Sequence, residues 1–320
     1  MAGFTVSLRT QEEEQQGRRF QAYLNYLECV CLFLAADSSL FGGITNSRQF
    51  QDIQVREPSD QARLGAFLRN SWFTEIQFRM PFAFREAMPY SVHWAPVQAY
   101  YCIYHLAVSL LLASNTPYSD THASVLRQIA TMVSQRRPLF PIPWGLTCSG
   151  DPERPDYRGV PGGIRIAKTN PLTLSHNTSK WDSLGLFLKT TREREFNQRR
   201  GDFLRKQKQV RLRHGQREGI VTGLSNETTL FDCLYRLRLR SNYADADSFL
   251  MGVWDGSDAV KFYEAIARIC EKTMFLLELL TARYIGRARF GGLVGDFVSR
   301  AGARGNELIG QRWQAVQQLL

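Results

Sequence analysis

The sequence has no CxxC pair, no GxxxxGK[ST] phosphate loop, no GxSxG elbow and no HExxH zinc motif. These gaps argue against zinc ribbons, P-loop nucleotide chemistry, serine hydrolases and zincin-type proteases. Gly291-Gly-Leu-Val-Gly295 looks like a glycine loop, but no strand pattern precedes it. Hardly any run alternates apolar and polar residues with period two, so the expected fold is all-α, with short irregular strands confined to about 140–178. No repeat or low-complexity tract occurs. The opening stretch, MAGFTVSLRTQEEEQQ, is too polar and acidic for a signal peptide. Cysteine is sparse: Cys29, Cys31, Cys102, Cys148, Cys233 and Cys270, four of them inside apolar helical patterns. Reduced core thiols and a cytoplasmic location are therefore expected, with no disulfide framework and no bound metal. The matches to glycosylation sequons at Asn177 and Asn226 carry no meaning in such a chain.

Charge of one sign is unevenly placed. The chain carries a net +10, yet residues 1–95 hold nine Lys/Arg against ten Asp/Glu. Residues 191–218 alone hold ten Lys/Arg against four Asp/Glu. A basic face on a globular chain most often meets an anionic partner, nucleic acid above all. The plain alternative is a solvated helix laced with i,i+4 pairs.

The stretch Pro96 to Ala113, PVQAYYCIYHLAVSLLLA, carries no Lys, Arg, Asp or Glu. Pro96 suits the first helical position, and Asn115 and Pro117 close the segment. A helix apolar on nearly all sides is buried or spans a membrane. With Gln98, His105 and Ser109 inside, it is short of the ~20 apolar residues of a span. It is expected to be the central helix of a bundle, with no membrane partner.

Around it the pattern predicts a helix over 11–36, a break at Phe41-Gly-Gly, a loop over 46–58, and a helix from Ser59 or Asp60 to about Phe78. Asp120 is the expected cap of THASVLRQIATMVSQ, with Val125, Ile129, Met132 and Val133 inward. Residues 137–178 hold seven of the twelve prolines and read as irregular. Further helices are expected from Ser179 or Asp182, over Thr228–Arg240, and from Ser257 to about Tyr284. The 286–320 tail is Gly- and Arg-rich, helical only weakly from about Asn306.

Four pieces, AYYCIYHLAVSLLLA, THASVLRQIATMV, LYRLRLRSNYADADSFL and AVKFYEAIARICEKTMFLLELL, occur in this order and together resemble the HEPN family of helical bundles. Tyr100-Tyr101-Cys102-Ile103-Tyr104-His105-Leu106-Ala107 resembles the helix-two pattern of one branch, His122 its next histidine, and Arg240-Ser-Asn-Tyr-Ala-Asp its Arg followed by Ala-Asp-Tyr. The resemblance implies a HEPN-like four-helix bundle at 90–285, interrupted by a Pro/Gly-rich and basic insertion at about 136–226. A helical extension at 1–89 and a basic tail at 286–320 would flank it. It implies RNA binding, a metal-independent ribonuclease of a toxin–antitoxin or defence system, a homodimer, a nucleotidyltransferase antitoxin partner, and no cofactor. Its catalytic residues would be His105, His122 and Arg240, supported by Tyr101, Asn242, Tyr243 and Asp245.

The ribonuclease signature of that family, Arg then four to six residues then His, is not met at His93, His105, His122, His176 or His214. From the residues themselves, His105 and His122 are read as core or helix-end histidines, or as acid–base groups. Arg236 and Arg240 share a helix face and are read as phosphate ligands or as partners of Asp245 and Asp247; Arg238 is expected to point away. Charge density nominates Arg199, Arg200, Arg205, Lys206, Lys208, Arg211 and Arg213, with Arg236, as nucleic-acid contacts. A non-catalytic dimerising module and a nucleotide-binding regulator remain the alternative functions, and the apolar excess of 11–36 and 263–284 would supply a dimer surface.

Overall fold

The structure, a computed structural model, describes residues 11–35, 39–167, 179–224, 227–244, 246–250 and 256–320. In chain order the helices are α1 Gln11–Ala35, α2 Leu40–Thr45, α3 Arg48–Gln51, α4 Gln61–Phe78, α5 Met88–Ser91, α6 Ala95–Ala113 and α7 His122–Gln135. A hairpin of β1 Thr147–Asp151 and β2 Arg154–Arg158 follows. Then come α8 Lys180–Lys206, α9 Gln216–Thr222, α10 Leu230–Leu239, α11 Ala246–Leu250, α12 Gly256–Ile285, α13 Arg287–Gly305 and α14 Gln311–Gln317. The molecule is thus overwhelmingly helical, as the missing period-two pattern implies.

α6 is the central element. It packs most extensively against α4 and α12, and its charge-free surface explains why: each side that touches a neighbour is apolar. It is the one helix among the described residues long and apolar enough to cross a membrane, and 78% of its apolar window is buried inside the molecule. Ser71 on α4 donates to the Cys102 carbonyl at 2.7 Å, fixing the two helices in register. α1 lies on α12 and α8, with Tyr26 stacked on Phe187 at 4.6 Å. The apolar faces of α1 and α12, expected to serve a dimer, are therefore buried against elements of the same chain.

Local chemistry shifts several predicted boundaries. Asp120 does not cap α7, because its carboxylate pairs with Arg63; Thr121 caps instead, accepting from Ser124 N–H at 3.2 Å. Thr228 lies outside α10, because its backbone exchanges hydrogen bonds with Cys148 of β1 at 2.8 and 3.0 Å. Thr229 and Asp232 then form the capping box of α10. Gly42 and Gly43 lie inside the short α2 instead of breaking the chain, and α3, capped by Ser47, interrupts the expected 46–58 loop.

The 286–320 tail differs most from expectation. α13 and α14 place Phe290, Val294, Phe297, Trp313 and Val316 in the main core, Phe297 lying 5.0 Å from Trp72. Gly302, at φ 65°, supplies a kink that an L side chain rarely adopts. Arg312 is buried between two helices: Nε and Nη2 donate to Glu278 at 2.7 and 2.8 Å, and Nη1 donates to Glu75 at 2.8 Å. Burial opposes the guanidinium charge, and the two carboxylates outweigh it. Trp72 Nε1 also donates to Glu278, at 2.8 Å.

One main core runs from Phe20 to Val316, so the N-terminal helices, the bundle and the tail share it. The inserted segment is also tied in: Trp144 is fully buried and donates to Thr273 at 2.9 Å. Gly145 approaches the Phe140 carbonyl so closely that a Cβ would lie 2.0 Å from its oxygen. The far half of α8 contributes to a second cluster. With α9 it forms a satellite cluster of Phe196, Ile220 and Leu224, padded by Phe203, Leu212 and Val221.

Candidate functional site

α10 divides the functional residues into two groups. Its arginines at 236, 238 and 240 are two apart, so alternate ones fall on opposite sides of the helix. At Arg240 the α-helix gives way to a π turn, Arg240–Ala244. Such turns are rare and recur at functional positions.

On one side lies an aromatic and histidine cluster. Arg238 Nη2 donates to the Tyr101 hydroxyl at 2.8 Å, and its guanidinium lies 5.3 to 5.9 Å from the rings of Tyr101, Tyr100 and Tyr235. The Tyr100 hydroxyl and His122 Nδ1 are 2.9 Å apart. His122 also contacts the rings of Tyr104 and Tyr235 at 4.4 and 5.5 Å. Burial, then the Arg238 charge, lowers the His122 pKa. Burial, helped by His122, lowers His105 to about 4, so its ring is neutral at physiological pH. His105 lies against Phe67, Tyr101 and Tyr104, and its Nδ1 is buried without a hydrogen-bond partner. The structure therefore groups His105, His122 and Tyr101, but the arginine beside them is Arg238. Arg238 points away from Arg236, as expected, and its destination is the cluster that the sequence reading assigned to Arg240.

On the other side, Arg236 and Arg240 approach Arg194 of α8. Arg194 is half-buried; desolvation, then the charges of Arg240 and Arg236, lower its pKa. No described carboxylate pairs with Arg194. Arg236 Nη1 donates to Thr190 and Thr191 at 2.7 and 3.2 Å, and its Nε is buried without a partner. Between α7, α8 and α10 a cavity of about 370 Å³ opens onto these groups, with Arg127, Arg194, Arg199 and Arg236 in its wall. Three acids also face it, and each has a partner of its own. Glu195 pairs with Arg199 at 3.2 Å, and Glu227 pairs with Arg158 at 3.2 Å. Asp232 accepts from the Thr229 N–H and hydroxyl, and desolvation raises its carboxyl to about 6.

The remaining nominated cations lie on the satellite arm. Arg199, Arg200, Arg205, Lys206, Lys208, Arg211 and Arg213 are all exposed. Arg199 and Arg205 pair with Glu195 and Asp202, at 3.2 and 2.6 Å. No described carboxylate pairs with Arg200, Lys206, Lys208, Arg211 or Arg213. Asn242 lies in the π turn, as does the Tyr243 backbone; Asp245 and the Tyr243 side chain lie outside the described residues. No three metal-ligating side chains converge among the described residues. Comparison with protein-family models, characterised proteins and solved structures gives no match for this chain.

Sequence reasoning missed Tyr100, Tyr104, Tyr235 and Arg238 in the first group, and Arg127 and Arg194 in the second. A signal for Arg194 was present: Thr191, Arg194, Glu195 and Gln198 recur at helical spacing and line one wall of the cavity.

Proposed function

We propose that this protein is a HEPN-like helical RNA-binding protein that holds phosphates on the arm built from α8 and α9. The carrying observation is the set of five exposed cations, Arg200, Lys206, Lys208, Arg211 and Arg213, without carboxylate partners among the described residues. Cations so placed exchange counterions for phosphates at little desolvation cost. The satellite core gives the arm a base of its own, and Arg217 ties it to Asp151 at 2.7 Å.

Binding without cleavage is the reading favoured by the histidine geometry. A general base must reach a ribose hydroxyl with a pKa near the working pH. His105 is largely buried, and its pKa near 4 makes it a weak base at neutrality. His122 is engaged with Tyr100, and Arg238 with Tyr101. A homodimer, a nucleotidyltransferase partner and a defence setting enter this proposal through the family resemblance alone.

The test measures binding of single-stranded RNA to the wild type and to a variant with Arg199, Arg200, Arg205, Lys206, Lys208, Arg211 and Arg213 all changed to Gln. Weakened binding by a folded variant supports the reading, and unchanged affinity makes the arm a solvated surface only. Metal-free cleavage by the wild type, lost in folded His122→Ala, would replace the binding reading with a ribonuclease.

A further inference from the structure

We propose that the cavity between α7 and the β1–β2 hairpin is a binding site for a small polyhydroxylated carboxylate, a sugar acid in chemical class.

The wall of this cavity contains a buried acceptor left open. Glu227, just before α10, has a side chain only 6% exposed. Its Oε1 accepts from the Ser134 hydroxyl at 2.9 Å and from Arg158 Nη1 at 3.2 Å. Its Oε2 is buried without a hydrogen-bond partner. A carboxylate oxygen in that position has lost its hydration without replacement, so a ligand donor that reaches it gains more than it would in water. The cavity beside it measures about 370 Å³, within the range of small-molecule sites.

The rest of the lining selects the kind of ligand. Ser134 and Gln135 of α7 and Ser149 of β1 bring hydroxyl and amide groups that both donate and accept. A ligand carrying several hydroxyls matches such a wall, because each hydroxyl also does both. No aromatic ring stands among the described lining residues, so a flat heterocycle has nothing to stack on.

Charge adds the carboxylate. Arg127 lies in the same wall, and no described carboxylate pairs with it. Arg158 pairs with Asp156 at 3.4 Å, and Glu227 lies 3.2 Å from Arg158 and 3.9 Å from Arg137. Cations therefore exceed acids around the cavity, which favours an anion, and a guanidinium binds a carboxylate through two parallel hydrogen bonds. The group that meets Oε2 should be a neutral hydroxyl. An ammonium there would share one carboxylate with two guanidinium groups and be repelled by both. A hydroxylated carboxylate meets both demands, with its hydroxyls toward Glu227 and its anionic end toward Arg127. None of the cations assigned to RNA on the arm lines this cavity, so the two readings stand or fall separately.

The experiment titrates the full chain calorimetrically with glucuronate, and with glucose and acetate as probes lacking the carboxylate or the hydroxyls. Glucuronate should bind saturably and at least about tenfold more tightly than either control. Arg127→Gln should weaken glucuronate on the order of tenfold and leave glucose unchanged, since only the anionic end meets Arg127. Glu227→Gln should weaken glucuronate and glucose alike. Glu227 also holds Ser134 and Arg158, so circular dichroism accompanies that variant; if it does not fold, Arg127→Gln and Ser149→Ala decide the matter, each expected to lose glucuronate affinity. Absence of glucuronate binding at millimolar concentration would overturn the proposal and leave Oε2 to a water molecule. Acetate binding as tight as glucuronate binding would also overturn it, as would unchanged glucuronate affinity in Arg127→Gln.

Discussion

Two arginine clusters in this molecule meet burial in opposite ways. Arg312 lies in the core with Glu75 and Glu278 on its three donating nitrogens and Trp72 on the same carboxylate. Arg194 lies half-buried with Arg236 and Arg240 as its charged neighbours. The first cluster is complete within the chain and holds α14 against α4 and α12. The second gathers arginines beside a cavity whose wall also holds the Glu195–Arg199 pair. Residue type is the same in both; what differs is how closely buried carboxylates enclose the guanidinium.

Breaking the first cluster should give the largest effect. Arg312→Ala leaves Glu278 buried without its cation and Glu75 with Arg79 alone, at 3.7 Å; loss of one partner from a buried pair costs about 3–5 kcal/mol. Urea unfolding should show a loss of that order, while Arg194→Gln should show none. A small effect at Arg312 would mean that the tail is not clamped by charge.

A smaller effect is expected from acid. His105 has a folded pKa of about 4, below its ordinary 6.5, so the fold favours the neutral ring. Its contribution is present above pH 6.5 and is lost as pH falls from 6.5 toward 4, amounting at most to ~3 kcal/mol. Asp232, raised to about 6, has the opposite sign, because its ionised form is the disfavoured one in the fold. Its unfavourable contribution grows as pH rises from 3.8 to 6 and is relieved on acidification. Comparing wild type with His105→Gln at pH 7 and pH 4.5 isolates the histidine. The variant should lose less stability on acidification; equal losses would place the ring in solvent.

The smallest effect concerns the divider itself. Thr229→Ala removes the side-chain half of the α10 capping box and should cost about 1 kcal/mol in urea unfolding. An unchanged urea midpoint would show that the cap does not hold α10 in place.

Much of the scaffold was legible. The charge-free run at α6, the stripe of α12, and the Asp60 and Ser179 caps gave helices close to those observed, because local patterning and tertiary packing agree there. The tail was misread as mostly irregular since glycines at 291, 292, 295, 302 and 305 weaken helix propensity, whereas Phe290, Val294 and Phe297 recover it by burial. The site was legible only in part. His105, His122 and Tyr101 stand on contiguous sequence patterns and were named. Arg238 is harder to read, because helix spacing places it opposite Arg236 without showing that Tyr101 lies there. The Arg194 pocket depends on three helices distant in sequence, and no local pattern reports their meeting.

The most direct measurement of the central claim is the salt dependence of RNA affinity for the wild type and for a variant with Arg200, Lys206, Lys208, Arg211 and Arg213 changed to Gln. For a single strand, log affinity falls against log salt with a slope of roughly 0.7 per phosphate contact. The account predicts a steep wild-type slope that flattens by about that amount for each arm contact removed, with the folded state unchanged by circular dichroism. Identical slopes for the two proteins would contradict it.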